Sequence, residues 1–195
     1  MKIFNKWDMS FDVQDIGLKP YLNLNPILVP RTGGRNVVQQ FHKSRTPVVE
    51  RLMNKLMVAG HRGKKHKMSS GHNTGKATKV YKIVEEAFSI IEKQLKKNPV
   101  EVFIRAIENA APREEITTIE YGGAKYPQAV ECAPQRRIDI VLRQMVQGAY
   151  QKSFNTKRKI VACLADEIVK AYESDNKSSA IAKKLELERQ ADASR

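Results

Sequence analysis

Apolar side chains recur every three or four residues through most of the chain beyond residue 46, and this period decides the fold class. A repeat close to 3.6 residues is typical of helices that bury one face. A clear helix start is Asn98-Pro99, a capping residue followed by a proline suited to the first turn. The sequence therefore predicts a mainly α domain with six helices, at about residues 46–59, 76–97, 98–111, 134–149, 157–173 and 178–192.

One segment, residues 114–131, interrupts the helical pattern. Its first half is rich in Ile and Thr, and Gly122-Gly123 is typical of a two-residue hairpin turn. That turn pairs Thr118 with Pro127 at a non-hydrogen-bonded position, so the proline removes no ladder hydrogen bond. We predict a protruding two-stranded β-hairpin arm between helices 3 and 4. Because two strands alone are marginal in water, the arm must lie on the helices or reach a partner.

Positive charge is concentrated in one quarter of the chain. The 195 residues carry a formal net charge of +14. Residues 31–79 hold twelve Lys or Arg against one acid, Glu50, which is a net charge of +11. Two arms within this quarter, 31–45 and 60–79, have little apolar surface to offset their ordering entropy. We expect them to order against a polyanion, most simply nucleic acid, and the alternative is a solvated charged loop.

Length and composition predict the organisation of the chain and exclude several classes of protein. We expect an irregular N-terminal extension over residues 1–45, basic from residue 31, and a helical domain over 46–195 with a basic insert loop at 60–79. The longest apolar run, 160–165, is far shorter than the roughly 20 residues of a membrane span, so no membrane partner is expected. The two cysteines cannot make a disulfide framework, which favours a cytosolic protein with reduced thiols.

No catalytic, cofactor or metal site emerges from the motifs. Segment 71–78 is similar to a phosphate-binding loop, but only three residues separate its glycines, and Ala follows Lys76 where Ser or Thr is needed. Three histidines of the basic arm, His61, His66 and His72, have no carboxylate or thiolate nearby to help bind a metal ion. The chain is therefore predicted to be no enzyme and to need no cofactor.

Basic residues outside the two arms also cluster. Arg113 precedes the hairpin, and Arg136 and Arg137 fall on the first turn of helix 4. Cations there oppose the helix dipole by some tenths of a kcal/mol each, a cost that phosphate contact would outweigh, and the alternative is an incidental surface pair. At the hairpin tip, Tyr121 is suited to contact a base or the nucleic-acid backbone. A further basic group surrounds the turn between helices 4 and 5: Lys152, Lys157, Arg158 and Lys159.

Four stretches of the chain carry a family resemblance in their order. They read NPVEVFIRAIENAAPREE, YGGAKYPQAVECAPQRR, NTKRKIVACLADEIVKAY and SSAIAKKLELER. They resemble ribosomal protein seven of the small subunit, in its archaeal and eukaryotic branch. The resemblance implies a six-helix domain with a hairpin arm. It also implies a structural constituent of the small ribosomal subunit that binds the 3′ major domain of the rRNA, nucleates assembly of the head and acts in translation on the cytoplasmic ribosome.

The resemblance assigns roles to matching positions. The APQRR motif implies rRNA contact at Arg136 and Arg137, and the basic segment before helix 1 supplies Lys43 and Arg45. The hairpin tip would lie near exit-site tRNA, the mRNA exit path and ribosomal protein eleven, and comprises Tyr121, Gly122, Gly123 and Lys125. Other proteins of the subunit head are expected partners. Together with the charge pattern, the predicted rRNA-binding residues are Arg31, Arg35, Lys43, Arg45, Arg62, Lys64, Lys65, Lys67, Lys76, Lys79, Arg113, Arg136, Arg137, Lys152, Lys157 and Arg158.

Two other classes of function stay open at this point. A DNA-binding regulator would need a recognition helix and commonly a dimer, and the sequence shows no convincing helix-turn-helix pair. An RNA-processing enzyme would need a metal or an acid/base pair. Equal affinity for duplex DNA and folded rRNA would support the first class. RNA turnover abolished by one side-chain change would support the second.

Overall fold

The computed structural model describes residues 1–33, 38–58 and 73–195, and this part of the chain contains six α-helices and one hairpin. The predicted mainly α fold, with the hairpin between helices 3 and 4, is confirmed. No helix within these ranges combines the length and the apolarity needed to cross a bilayer. The bounds are α1 (Val48–Leu56), α2 (Ala77–Leu95), α3 (Pro99–Ala110), β1 (Glu114–Tyr121), β2 (Ala124–Glu131), α4 (Pro134–Ser153), α5 (Ile160–Tyr172) and α6 (Ser179–Ala193).

Helix α5 is the centre of the core, because it contacts α2, α3, α4 and α6. Its side chains Cys163, Leu164 and Ile168 are completely buried, as a helix surrounded by others requires. Phe88 of α2 and Phe103 of α3 pack with their ring centroids 5.9 Å apart. The apolar stripes read from the sequence are therefore core packing.

The start of α3 matches its sequence signal in detail. Asn98 is the N-cap, and its side-chain oxygen accepts a hydrogen bond of 3.0 Å from the backbone N–H of Val100. Pro99 occupies the first turn, where a missing N–H costs nothing. The helix ends at Ala110, just before Pro112. Helix α5, in contrast, begins at Ile160 rather than at 157, because residues 154–159 form an exposed turn.

The hairpin has the predicted register, with Thr118 opposite Pro127. Gly122 and Gly123 have φ values of 58° and 82°, the pair of left-handed conformations that a type I′ turn demands and that glycine adopts without strain. Residues 117–128 are exposed, whereas the base of both strands is half-buried and contacts α6. The hairpin thus rests on the helices at its base and protrudes at its tip.

The segment before residue 30 packs on the helices. The sequence alone does not predict whether this segment packs or extends. It has no regular structure beyond a three-residue 3-10 helix, yet it shares one hydrophobic core with the helical domain. Phe4 and Trp7 pack edge-on against each other, and both pack against Phe88 of α2, with centroid distances of 5.9 to 6.2 Å. The buried residues of this segment are Ile3, Phe4, Trp7, Met9, Val13, Leu18 and Leu22.

Polar contacts tie the same segment to three helices. The Lys6 ammonium lies 2.7 Å from the Glu85 carboxylate of α2. The backbone N–H groups of Gln14 and Asp15 donate to the Glu108 carboxylate of α3. The Asp15 carboxylate in turn pairs with Arg137 of α4. The segment therefore spans the helical body and contacts elements far along the chain.

Candidate nucleic-acid interface

The predicted rRNA-binding residues fall into three groups by their surroundings. Five lie outside the described residues: Arg35, Arg62, Lys64, Lys65 and Lys67. Six are exposed, with no ion pair to a carboxylate in the described part of the chain: Arg31, Arg45, Lys76, Lys79, Arg113 and Lys157. The remaining five are paired with carboxylates: Lys43, Arg136, Arg137, Lys152 and Arg158.

Four cations surround one carboxylate where the segment before α1, helix α1 and helix α4 meet. Asp139 of α4 accepts hydrogen bonds from Lys43 and from the nearly buried Arg51, the latter at 3.3 Å. Lys55 and Arg143 are close enough to act electrostatically on the same group of charges. We call these five residues the Asp139 cluster. Its formal net charge is +3, so the surface of the cluster favours an added anion.

The ionisation of the Asp139 cluster reflects this crowding. Burial lowers the pKa of Lys55, Asp139 opposes that effect, and the neighbouring cations Arg143, Lys43 and Arg51 lower the pKa further. Burial raises the pKa of the Asp139 carboxyl, but the hydrogen bond from Lys43 and the positive charges around it prevail and hold that pKa below its ordinary value. Asp139 is therefore ionised and cannot neutralise all of its neighbours.

The two arginines that open α4 have different surroundings. Arg136 is exposed, and its Nε donates to both oxygens of Glu115 in β1 at 2.6 and 2.8 Å. Arg137 is only 9% exposed, and it donates to the Pro112 carbonyl at 2.9 Å and to Asp15 at 2.8 Å. Burial alone would raise the pKa of the Asp15 carboxyl, but the hydrogen bond and charge of Arg137 hold it below its ordinary value. Arg137 therefore joins the N-terminal segment to α4, whereas Arg136 stays at the surface.

The basic group at the turn between α4 and α5 divides in the same way. Lys152 lies 2.6 Å from the carboxylate of Glu167, which is completely buried and also accepts a hydrogen bond from the Ser178 hydroxyl. Arg158 pairs with Asp166 at 2.7 Å on the surface. A surface pair of this kind contributes at most about 1 kcal/mol, so Arg158 can exchange its carboxylate for a phosphate. Lys152, in contrast, compensates a buried charge.

The tip of the hairpin presents an aromatic face and little positive charge. Tyr121 is 81% exposed and Tyr126 58% exposed. Ile119 lies on the same face, because it is directly opposite Tyr126. The whole segment 114–131 holds four Glu and one Lys, Lys125. This face suits stacking or apolar contact better than the neutralisation of phosphates.

Three cations of the Asp139 cluster are absent from the sequence prediction. Arg51 and Lys55 lie on the short helix α1, whose sequence pattern is dominated by its apolar stripe, and Arg143 lies on α4. A signal was available, because Arg136, Asp139 and Arg143 are spaced three and four residues apart and so share one face of a helix. Spacing alone could not show that this face meets the segment before α1.

Comparison with known proteins decides which class of protein carries these surfaces. Residues 30–195 match the family model described as "Ribosomal protein S7p/S5e". The chain is also 52% identical to the small ribosomal subunit protein uS7 of Nanoarchaeum equitans, over 100% of this chain and 99% of that protein. The chain belongs to the ribosomal protein S7p/S5e family.

Other members of the S7p/S5e family are similar over comparable lengths. The uS7 protein of Methanothrix thermoacetophila is 48% identical over 100% of both chains. That of Methanosphaera stadtmanae is 47% identical over 96% of this chain and 95% of its own length. These relatives are archaeal, in agreement with the predicted branch. As a family member, the chain is a structural constituent of the small subunit of the cytoplasmic ribosome and not an enzyme, so the RNA-processing alternative is wrong.

Proposed function

We propose that this chain binds the 3′ major domain of the small-subunit rRNA, which forms the head of the subunit, and nucleates assembly of that head. The observation that carries the proposal is the placement of cations on a helical body, above all in the Asp139 cluster, whose single carboxylate leaves an uncompensated charge of +3. Lys and Arg side chains neutralise phosphates and release counterions, and the body fixes their relative positions across several rRNA helices.

The exposed cations are the expected phosphate contacts. The six without carboxylate partners are available directly, and Arg136 and Arg158 can exchange surface carboxylates for phosphates at small cost. The five basic residues outside the described ranges add charge to the same quarter of the sequence. For Arg137 and Lys152 the structure provides a different role, since both already compensate carboxylates within the protein.

The hairpin tip is the part of the chain that we place near exit-site tRNA, the mRNA exit path and ribosomal protein eleven. Its support is the protruding aromatic face around Tyr121 and Tyr126, which is exposed on the chain and has no role in its core. Glycines at 122 and 123 keep the turn narrow, and Lys125 supplies one cation beside it. A face of this composition can touch a base or a neighbouring protein.

A binding titration tests the rRNA proposal. The purified chain is titrated against a transcript of the 3′ major domain at several salt concentrations, with an rRNA transcript of equal length from another domain as the control. If about eight phosphates are neutralised, the slope of log K against log salt is about −6 to −7. An affinity that does not change with salt, or that is equal for both transcripts, would contradict the proposal.

Reconstitution tests the proposed role in assembly. Head proteins are added to rRNA with and without this chain, and their incorporation is followed by sedimentation and mass spectrometry. We expect incorporation of the other head proteins to fall when the chain is left out. Unchanged incorporation would contradict nucleation while leaving rRNA binding intact.

A further inference from the structure

An open cleft lies beside the Asp139 cluster, and the proposed function does not specify what fills it. The cleft has a volume of about 390 Å³ and is lined by the 3-10 helix before α1 and by the first half of α4. That volume is comparable to one nucleotide, and it lies at the lower end of the range for small-molecule pockets. A hydrogen bond of 3.1 Å from the Ser44 hydroxyl to Gln135 joins the two walls. This hydrogen bond fixes the two walls relative to each other, so the cleft is part of the folded structure.

The walls of the cleft provide cations for a phosphate. Lys43, Arg136 and Arg143 all line it, against the single carboxylate of Asp139. Arg143 is exposed and has no ion pair to a carboxylate in the described part of the chain. Charge-assisted hydrogen bonds from arginine are the strongest that a protein offers to a phosphate oxygen. An anion in the cleft would relieve the mutual repulsion of the Asp139 cluster.

An aromatic ring that is more than half exposed also lines the cleft. Phe41 lines the cleft and is 55% exposed. Its backbone has φ 61° and ψ 6°, a left-handed conformation that is unusual for a bulky residue and that glycine would adopt without cost. A large apolar side chain that stays more than half exposed gains little stability from burial, and its left-handed backbone conformation costs stability. Such a position points to contact with a ligand.

We infer that the cleft holds one unpaired nucleotide of the rRNA, with its base stacked on Phe41 and its phosphate against Arg136 and Arg143. The inference rests on the proposed function and adds the site at which an unstacked base is recognised. Aromatic side chains next to cations are the means by which proteins hold single-stranded nucleotides. The flat apolar face of a base can stack on the Phe41 ring, and the neighbouring cations can bind the phosphate of the same nucleotide.

Substitutions at Phe41 test the stacking. We expect Phe41→Gly to bind the 3′ major domain transcript about 5- to 150-fold more weakly, the range that loss of one base–aromatic stack gives. The same variant should unfold at an equal or higher temperature than the wild type, since glycine removes the strain at φ 61°. Leu185→Ala, which truncates a partly exposed apolar residue on α6 away from the cleft, is the control and should not change the affinity for the transcript.

The salt dependence of binding distinguishes contacts with the base from contacts with the phosphate. Phe41→Gly should weaken binding equally at all salt concentrations, whereas Arg143→Gln should reduce the salt slope by about one unit. Because both side chains would hold the same nucleotide, their effects should not add in the double variant. A p-azidophenylalanine at position 41 should crosslink to one unpaired nucleotide of the transcript.

Several outcomes would overturn the inference. Wild-type affinity of Phe41→Gly, crosslinks spread over helical rRNA, or full additivity with Arg143→Gln would each show that the cleft holds no stacked nucleotide. Loss of crosslinking when micromolar AMP or UMP is present before irradiation would assign the cleft to a free nucleotide instead. If the wild-type chain itself fails to prefer the 3′ major domain transcript, then the proposed function fails, and that result is distinct from all of these.

Discussion

Replacing Arg137 should damage the fold, whereas replacing its neighbour Arg136 should damage only RNA binding. The informative substitution is to methionine, because it keeps the apolar stem of the side chain and removes the guanidinium. Arg137→Met leaves the Asp15 carboxylate without its ion pair and the Pro112 carbonyl without its donor. Arg136→Met loses only an exposed pair with Glu115.

The magnitude follows from the surroundings of each pair. Removing one partner of a buried ion pair costs about 3–5 kcal/mol. The side chain of Asp15 is 28% exposed, so water partly compensates the remaining carboxylate, and we expect a loss of about 2–3 kcal/mol in the free energy of unfolding. For a chain of this size such a loss lowers the melting temperature by about 4–12 °C. For Arg136→Met the loss should stay below about 1 kcal/mol, because an exposed pair contributes little.

Thermal and urea unfolding, followed by circular dichroism at neutral pH, measure both losses. Asp15→Asn and the double variant complete a cycle that isolates the coupling between Asp15 and Arg137. The rRNA affinity should change in the opposite order, with Arg136→Met the weaker binder once both proteins are folded. Equal stability of Arg137→Met and Arg136→Met would refute the argument.

Acid provides a second check on the same pair. The pKa of Asp15 is lower in the folded chain than its ordinary value of 3.8, so its ion pair contributes stability above that value. This contribution is lost as the pH falls from about 4 through the lower pKa of the folded state. The stability difference between the wild type and Arg137→Met should therefore shrink in that window. A difference that stayed constant to pH 2 would contradict the assignment of the pair.

Three further predictions concern other parts of the molecule. Deletion of residues 119–126 should leave the helical circular dichroism signal and the rRNA affinity unchanged, but should weaken retention of exit-site tRNA by reconstituted subunits; collapse of the fold would show that the tip is packed. Trp7→Ala should lower the free energy of unfolding by about 3–5 kcal/mol in urea, since the indole is buried against Phe88. Burial raises the pKa of the Cys132 thiol to about 11, so iodoacetamide at pH 8 should label it only after unfolding, as judged by mass spectrometry.

Local rules account for what the sequence predicted correctly. The Asn98 cap, the stripe of α5 and the register around Gly122-Gly123 all depend on residues within one or two turns of each other, so the period and the turn chemistry are sufficient. The roles of Arg136 and Arg137 could not be separated in this way. Adjacent helical residues point about 100° apart, but which of them faces the interior depends on Asp15, which lies 122 residues from Arg137 in the sequence.

The same limit applies to the segment before residue 30. Its apolar residues follow no helical or strand period, because they enter the core one at a time from an irregular path. Composition therefore predicts only an irregular extension. The path of the segment is determined by the helical surfaces on which it packs, and these are not visible in the local sequence. The cleft beside Phe41 is a similar case, since it exists only where α4 meets the residues before α1.

The path of that segment has a consequence for the order of events during synthesis. Its partners Glu85, Glu108 and Arg137 lie 79, 94 and 122 residues further along the chain. At about 5–20 residues per second, roughly 6 to 24 seconds pass between the emergence of Asp15 and that of Arg137. Trp7 has no partner in the core until Phe88, 81 residues further along, has emerged, which takes roughly 4 to 16 seconds. A segment that is synthesised first is thus among the last to pack. Its exposed apolar residues are the ones that a nascent-chain chaperone would bind.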